Sequence, residues 1–555
     1  MARVVVDPIT RIEGHLRIEV EIQNGKVKDA WSSGTLFRGI EIILQGRDPR
    51  DAHLITQRSC GVCTLVHSLA SVRAVEDALK IKIPANARII RNLTHAAQNI
   101  HDHSVHFYQL CALDWVDVVS ALSANPKKTA ELANEISGRP YGAKYYEALK
   151  GKLKGFVDSG QLGPFANAYW GHPAYKLAPE ANLMAVGHYL DNLRNQVYAA
   201  QLTAIWGAKN PHLQGHLPGG VTVAQQLASV EWIAKYKSML AEQIKFIEQV
   251  YIPDVLAVAA HYKDWTKIGG NKNFLAYGDF PEGPEEPESF YFKRGAIFDQ
   301  KLQLVKIDPG KVTEEVAHSW YEGEKPLTPY NGQTIPLSDD KLKGAVPDTK
   351  DKNGKYSWIK SPRYEGKVME VGPLAQCLTS YVGGNKEIKE TVDMVLKKLN
   401  AKPDALFSTI GRIGARGIKC LVNAKRAQKW LDDLVANIKK GDTKTFTSYK
   451  LDESSNGQGM GLNDVARGSL GHWVIVEKGK IKNYQQVVPS TWNLGPRDAK
   501  GQKGPVENAL IGTPVADPKK PLEILRTVHS FDPCLACAVH VIDPQTNEVY
   551  KFRVS

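Results

Sequence analysis

The chain has 555 residues, with 71 Lys and Arg against 59 Asp and Glu for a formal net charge of +12, and 43% of its residues are hydrophobic. That balance is ordinary for a large globular protein and excludes a disordered or low-complexity chain. The basic residues are spread without a dominant tract, which argues against a nucleic-acid partner, and no run is apolar for long enough to span a bilayer or, at residues 1–8, to act as a signal peptide.

In chain order, residues 16–22 alternate apolar and charged side chains, and Asn24-Gly25 turns them into a second strand over 27–31. Apolar residues at helical spacing predict a helix over 65–78 and a second over 87–122, about 36 residues and roughly 54 Å long. Further long helices are expected over 179–206, 224–262, 386–399 and 411–438. Residues 269–363 are rich in Gly, Pro and charge and read as irregular excursions, with short β runs at 290–292 and 302–307. No Gly, Ser or Pro-rich linker divides the chain. The expected fold is therefore predominantly α with an α+β periphery, a long-helix bundle with small peripheral β-sheets.

Four of the seven cysteines form two Cys-x-x-Cys pairs, Cys60 with Cys63 and Cys534 with Cys537, more than four hundred residues apart. The spacing lets both sulfurs of a pair face one centre, so the four together suit a soft transition metal. Structural zinc is the plain reading of the motif, and a redox disulfide the next. Zinc ribbons, however, place their pairs roughly 15 to 20 residues apart. A site joining residue 60 to residue 537 exists only after the whole core has assembled, the pattern of a buried catalytic centre where distant segments meet. Cys111, Cys377 and Cys420 stand singly, and cysteines so placed form no disulfide framework.

His67 lies one helical turn beyond Cys63 and is a candidate for a hydrogen bond to a cysteine sulfur, with a satisfied core histidine as the competing reading. His540 follows Cys537 by three residues; because four thiolates fill a tetrahedral shell, it suits a second, harder ion that would also take oxygen ligands. Glu13, Glu41, Asp102 and Asp532 are the carboxylates near these segments, each alone as readily a surface or capping acid. His101, His103 and His106 do not share one face and are not expected to bind a metal of their own. The runs 466–473 and 486–493, which contain Arg467 and Ser490, mix polar donors with apolar residues and read as a lined pocket or as capped loops.

Taken together, Asp7-Pro8-Ile9-Thr10-Arg11-Ile12-Glu13-Gly14-His15, both cysteine pairs, Lys360-Ser361-Pro362-Arg363-Tyr364, Glu370-Val371-Gly372-Pro373-Leu374-Ala375 and His540 resemble the large subunit of the nickel-iron hydrogenases, in particular the membrane-bound and periplasmic uptake group. The match covers nearly the whole chain. It implies reversible heterolytic oxidation of H2 to protons and electrons, the electrons passing to a small subunit that carries iron-sulfur clusters. It also implies that Cys60 and Cys534 bind nickel terminally, while Cys63 and Cys537 bridge nickel to an iron carrying carbon monoxide and cyanide. By the same matching Arg467, Asp102 and Asp532 lie over the open side of the metals, Ser490 donates to a cyanide, and Glu13 transfers protons beside Cys534. Glu41, the backbone carbonyl of Gln486 and His540 match the ligands of a magnesium site. Three single cysteines are too few for a four-cysteine cluster, so the electron relay is expected on another chain.

The sequence departs from the family's pattern at Ala466, where proline commonly precedes the arginine, and at Gln486, where Leu or Cys is usual. The resemblance further implies nickel-insertion factors and a maturation endopeptidase, with 1–540 the catalytic domain and 541–555 an extension removed from the precursor. It implies a cytoplasmic precursor and a final place on the periplasmic side of the membrane, reached with the small subunit, where a membrane cytochrome b is a further partner. A hydrogen-sensing regulatory subunit with little turnover shares every ligand and is the alternative the residues leave open.

Overall fold

The computed structural model describes residues 2–535 except 162, 167, 224–226, 228, 285–286, 343–346 and 352. Cys537, His540 and the β-like run at 548–554 lie outside the described residues.

The chain opens as an antiparallel meander of β1 (Ala2–Val6), β2 (Leu16–Gln23) and β3 (Lys26–Gly34). The expected hairpin forms, with Asn24 and Gly25 at φ 52° and 70°, the left-handed pair whose twist matches that of the flanking strands. Alternation buries Leu16, Ile18, Val20 and Ile22, which pack with Ile524, Val528 and Leu535 from the far end of the chain. That shared core brings residue 13 beside residue 534.

After the short helices Ile40–Leu44 and Ala52–Thr56 come two long ones, α1 (Val66–Leu79) and α2 (Ala85–Val105). From α2 the chain continues through a π turn, His106–Cys111, and a 3-10 turn, Ala112–Asp114, and does not stay helical to residue 122. Asp117 accounts for the difference: its Oδ1 accepts from the amides of Val119 (3.0 Å) and Ser120 (3.1 Å), and a short acid that captures nearby N–H groups starts a new turn. The next long helix, α3 (Pro179–Gly207), matches expectation, with proline in its first turn. The helix expected over 224–262 has Ser229 as N-cap, runs as Val230–Phe246, and passes through a π turn, Ile247–Tyr251, into Ile252–His261. Pro253 has no N–H for the carbonyl of Gln249, which accepts instead from Gly138 N (2.7 Å) and Ser137 Oγ (3.2 Å).

Residues 269–363 are built from short pairings such as Asp279–Pro281 with Phe290–Phe292, and the strand expected at 302–307 reduces to a bridge between Val305 and Ala296. Lys386–Leu399 and α4 (Thr409–Lys439) form as expected, capped by Asn385 and Ser408. The buried faces of α2, α3 and α4 make the main helical core, with Leu93, Leu202, Ile413 and Trp430 inside it.

The sequence expectation lacks a sheet made of β4 (Gly457–Val465), β5 (Gly468–Glu477) and β6 (Lys480–Val487). The two runs read as pocket walls or loops are the β4–β5 turn with the start of β5, and the end of β6 with the short helix Pro489–Leu494. Three strand glycines hid β4. A Cβ on Gly457, Gly459 or Gly461 would come within 2.1 Å of Ala78 O, 2.2 Å of Ala78 N and 1.8 Å of Ala70 O respectively, because α1 lies directly on the strand. The last helix, α5 (Leu522–Ser530), delivers the chain to the second cysteine pair.

Candidate metal centre

The first pair sits in the loop leading into α1. Arg38 donates to the carbonyls of Ser59 (3.0 Å) and Arg58 (2.6 Å), His212 Nε2 lies 2.9 Å from Cys60 O, and Gln98 Nε2 donates to Val62 O (3.1 Å). With the carbonyls held outward, the amides of Val62 and Cys63 donate to Cys60 Sγ at 3.3 and 3.1 Å. The second pair arrives from α5. Asp532 takes φ 54°, and the chain then runs beside the N-terminal segment as a parallel bridge, with Glu13 N donating to Pro533 O (3.3 Å) and Leu535 N to Glu13 O (2.8 Å). Cys534 Sγ thereby lies 3.3 Å from Cys60 Sγ, and the sulfurs of Cys60, Cys63 and Cys534 are all within 4.8 Å of one another and buried. Soft donors gathered from opposite ends of the chain, with N–H groups turned toward sulfur, fit a thiophilic transition metal. The Cys534 thiol donates to Glu13 Oε2 at 3.2 Å.

Beside the sulfurs is a cavity of about 10 Å³, lined by Cys63, His67, Arg467, Val488, Ser490 and Cys534. That is about the space one water needs. Arg467 stands in the two-residue turn between β4 and β5. Burial opposes its charge, but Asp532, Cys534 and Asp102 hold its pKa well above the ordinary guanidinium value. Its Nη2 is 3.1 Å from Asp532 and its Nη1 3.6 Å from Asp102, which also accepts from Gln98 Nε2 (2.7 Å). Ser490 Oγ accepts from Cys534 N (3.0 Å), so its own proton remains available to a ligand. His67 lies in the first turn of α1, and burial lowers its pKa to about 4 and keeps the ring neutral. Its Nδ1 is 3.1 Å from His472 Nε2, and His472 Nδ1 is 2.8 Å from Tyr484 Oη. His103 and His106 are buried, with His106 Nε2 2.7 Å from His529 O, and neither joins the sulfur cluster.

The family of nickel-dependent hydrogenases matches residues 38–540. This chain belongs to that family. It is 47% identical to the uptake hydrogenase large subunit of Bradyrhizobium diazoefficiens, over 100% of this chain and 97% of that one. It is 45% identical to the quinone-reactive Ni/Fe-hydrogenase large chain of Wolinella succinogenes, over 100% and 98%. The reduced Ni-Fe-Se hydrogenase of D. vulgaris Hildenborough shares its fold at a TM-score of 0.78 and 34% identity, covering 97% of this chain and 100% of that one. The protein is thus a catalytic hydrogenase large subunit, an oxidoreductase acting on dihydrogen.

The hydrogenase has a second buried polar site, where Glu41 meets Gln486. Glu41 Oε1 accepts from the Gln486 amide (2.8 Å), Thr334 Oγ1 donates to Glu41 Oε2, and Lys360 Nζ lies 3.5 Å from that same oxygen and 3.9 Å from Glu314. Glu41 therefore contacts the N–H of Gln486 and not its carbonyl. Burial raises the Glu314 carboxyl to about 7 against the pull of Lys360, and the charge of Glu41 adds to the rise. Lys360, Glu314, Arg38 and Gln98 carry no role in the sequence reading. A cue existed for Lys360, a lone cation in the apolar run Trp358-Ile359-Lys360, which calls for a buried acid.

Proposed function

We propose that Cys60, Cys63, Cys534 and Cys537 hold the nickel-iron centre of this hydrogenase and that Glu13 takes the proton from it. The 3.2 Å contact between Cys534 Sγ and Glu13 Oε2 carries this reading. When bound, nickel and an iron with carbon monoxide and cyanide ligands supply the Lewis-acidic site that polarises dihydrogen. A proton on Cys534 Sγ would pass to Glu13 Oε2, which lies within hydrogen-bond reach of it. Arg467, held charged between Asp532 and Asp102, and the Ser490 hydroxyl bind anionic groups in the cavity and keep water out. Cys111, Cys377 and Cys420 are buried apart from the centre, so electrons leave through the iron-sulfur clusters of a small subunit.

Glu41, the Gln486 carbonyl and His540 hold magnesium. Oxygen donors suit a hard cation, and the cation Lys360 beside Glu41 supports the need for positive charge at this place. Likeness to uptake and quinone-reactive relatives supports a periplasmic, membrane-associated complex with a membrane cytochrome b. Nickel-insertion factors load the precursor and an endopeptidase then removes 541–555: if His540 is a ligand beside the buried Cys534, a peptide continuing beyond it would hold the cavity open for metal delivery. Intact-mass measurement of active subunit should end at His540; full activity with Ser555 attached would sink the cleavage step. For the proton path, Glu13→Gln should keep its metals and lose hydrogen/deuterium exchange, and normal exchange would move the path elsewhere.

A further inference from the structure

Three buried side chains behind the metal centre form a line, in which Tyr484 Oη lies 2.8 Å from His472 Nδ1 and His472 Nε2 lies 3.1 Å from His67 Nδ1. The register of β5 on β6 pairs His472 with Gln486 and Val474 with Tyr484, so His472 and Tyr484 are diagonal neighbours across the strands. His67 comes from α1, which packs on the same sheet through β4.

A neutral imidazole has one N–H and one lone-pair nitrogen, so fixing one bond of the line fixes the rest. Burial keeps both rings neutral. An imidazole nitrogen is a better acceptor than a phenol oxygen, so Tyr484 donates to His472 Nδ1. His472 must then carry its proton on Nε2 and donate it to His67 Nδ1, which leaves His67 with its own proton on Nε2. That nitrogen has no hydrogen-bond partner among the described residues, and His67 lines the cavity together with Cys63 and Cys534. The opposite direction would leave His67 Nε2 with a bare lone pair and no proton to donate at the cavity that it lines with Cys63 and Cys534.

From this geometry we infer that His472 and Tyr484 are positioning residues: they lock His67 in the Nε2–H tautomer and so present an N–H donor to the cysteine sulfurs of the centre. The inference rests on the reading of Cys63 and Cys534 as metal ligands. A donor to a ligating thiolate withdraws electron density from sulfur and hence from the metals, which makes the line a means of tuning the centre from about two residues away.

The test uses the purified, metal-loaded complex with its small subunit, reading nickel content, nickel electron paramagnetic resonance and the infrared bands of the iron's diatomic ligands. His472→Phe removes the donor to His67, so the infrared bands should move to lower frequency and the nickel g-values change at unaltered nickel content. His472→Gln, whose amide can still donate to His67 Nδ1, should keep the wild-type lines. Wild-type lines in loaded His472→Phe enzyme, or equal shifts in both variants, would overturn the inference. If His472→Phe fails to assemble, Tyr484→Phe decides, since it deletes one oxygen: a smaller shift in the same direction supports the line, and unchanged spectra overturn it. Wild-type complex without nickel would instead overturn the ligand assignment on which the inference rests.

Discussion

The sulfur centre and the acid site at Glu41 are both buried and both assembled from distant segments, but they handle charge in opposite ways. Thiols can wait uncharged: Cys534 Sγ lies in a hydrogen bond with Glu13, and a metal displaces thiol protons as it binds. Glu41 and Glu314 have a resident cation, Lys360, at 3.5 and 3.9 Å. A soft-ligand site thus stays folded before loading through the acid-base chemistry of its own ligands. A carboxylate site buried to the same depth needs a countercharge from the start.

The largest effect should come from replacing Cys60, Cys63 or Cys534 by Ser, because a hard, weakly acidic hydroxyl does not substitute for a thiolate. Hydrogen oxidation should fall to background with loss of nickel by elemental analysis. A nickel-replete, active serine variant would break the contrast. Glu13→Gln should come next, lowering exchange by about 10²- to 10⁴-fold with nickel and iron retained.

At the acid site, Lys360→Met leaves two carboxyls facing each other, and removing one partner of a buried pair costs about 3–5 kcal/mol. Denaturant unfolding should register the loss, and excess Mg²⁺ should restore part of it. Stability equal to wild type would show that the lysine is dispensable. The smallest effect sharpens the comparison through Glu507, which burial raises to about 7 despite Arg497 and which accepts from Ser32 N (3.0 Å) and Tyr356 Oη (2.9 Å). Its folded pKa lies above the ordinary value of 4.5, so its contribution is complete below about pH 4.5 and is lost as pH rises through about 7. Glu507→Gln should remove roughly 3 kcal/mol of that fall, read from urea midpoints at about pH 5 and about pH 8. An unchanged slope would show that burial does not perturb this carboxyl.

The gathering of Cys60, Cys63 and Cys534 was legible because residue type and spacing carry it, and the long helices 179–206 and 411–438 because periodicity and caps agree. The helix at 87–122 overran because Asp117 competes for backbone N–H groups, a local choice that apolar spacing does not encode. The sheet at β4 was illegible for a different reason. Glycine weakens a strand in isolation, and only the approach of α1, nearly four hundred residues earlier, explains Gly457, Gly459 and Gly461. At the site, family resemblance singled out Glu13 and Arg467, which lie beside Cys534 and at the cavity. His472, Tyr484 and Lys360 were not, because their roles arise from pairings across the sheet or with an acid far away in sequence.

The seam between α1 and β4 bears on the metals in a mechanical sense. Cys63 precedes one end of the helix and Arg467 follows one end of the strand, and at Gly457, Gly459 and Gly461 the strand meets peptide groups of the helix with no side chain of its own to act as a cushion. Side-chain contacts can yield by rotamer changes, whereas peptide planes are stiff. The span from sulfur to guanidinium therefore behaves as a rigid gauge block, and thermal jitter in the surrounding helices reaches the cavity as movement of the whole block rather than as play between its faces.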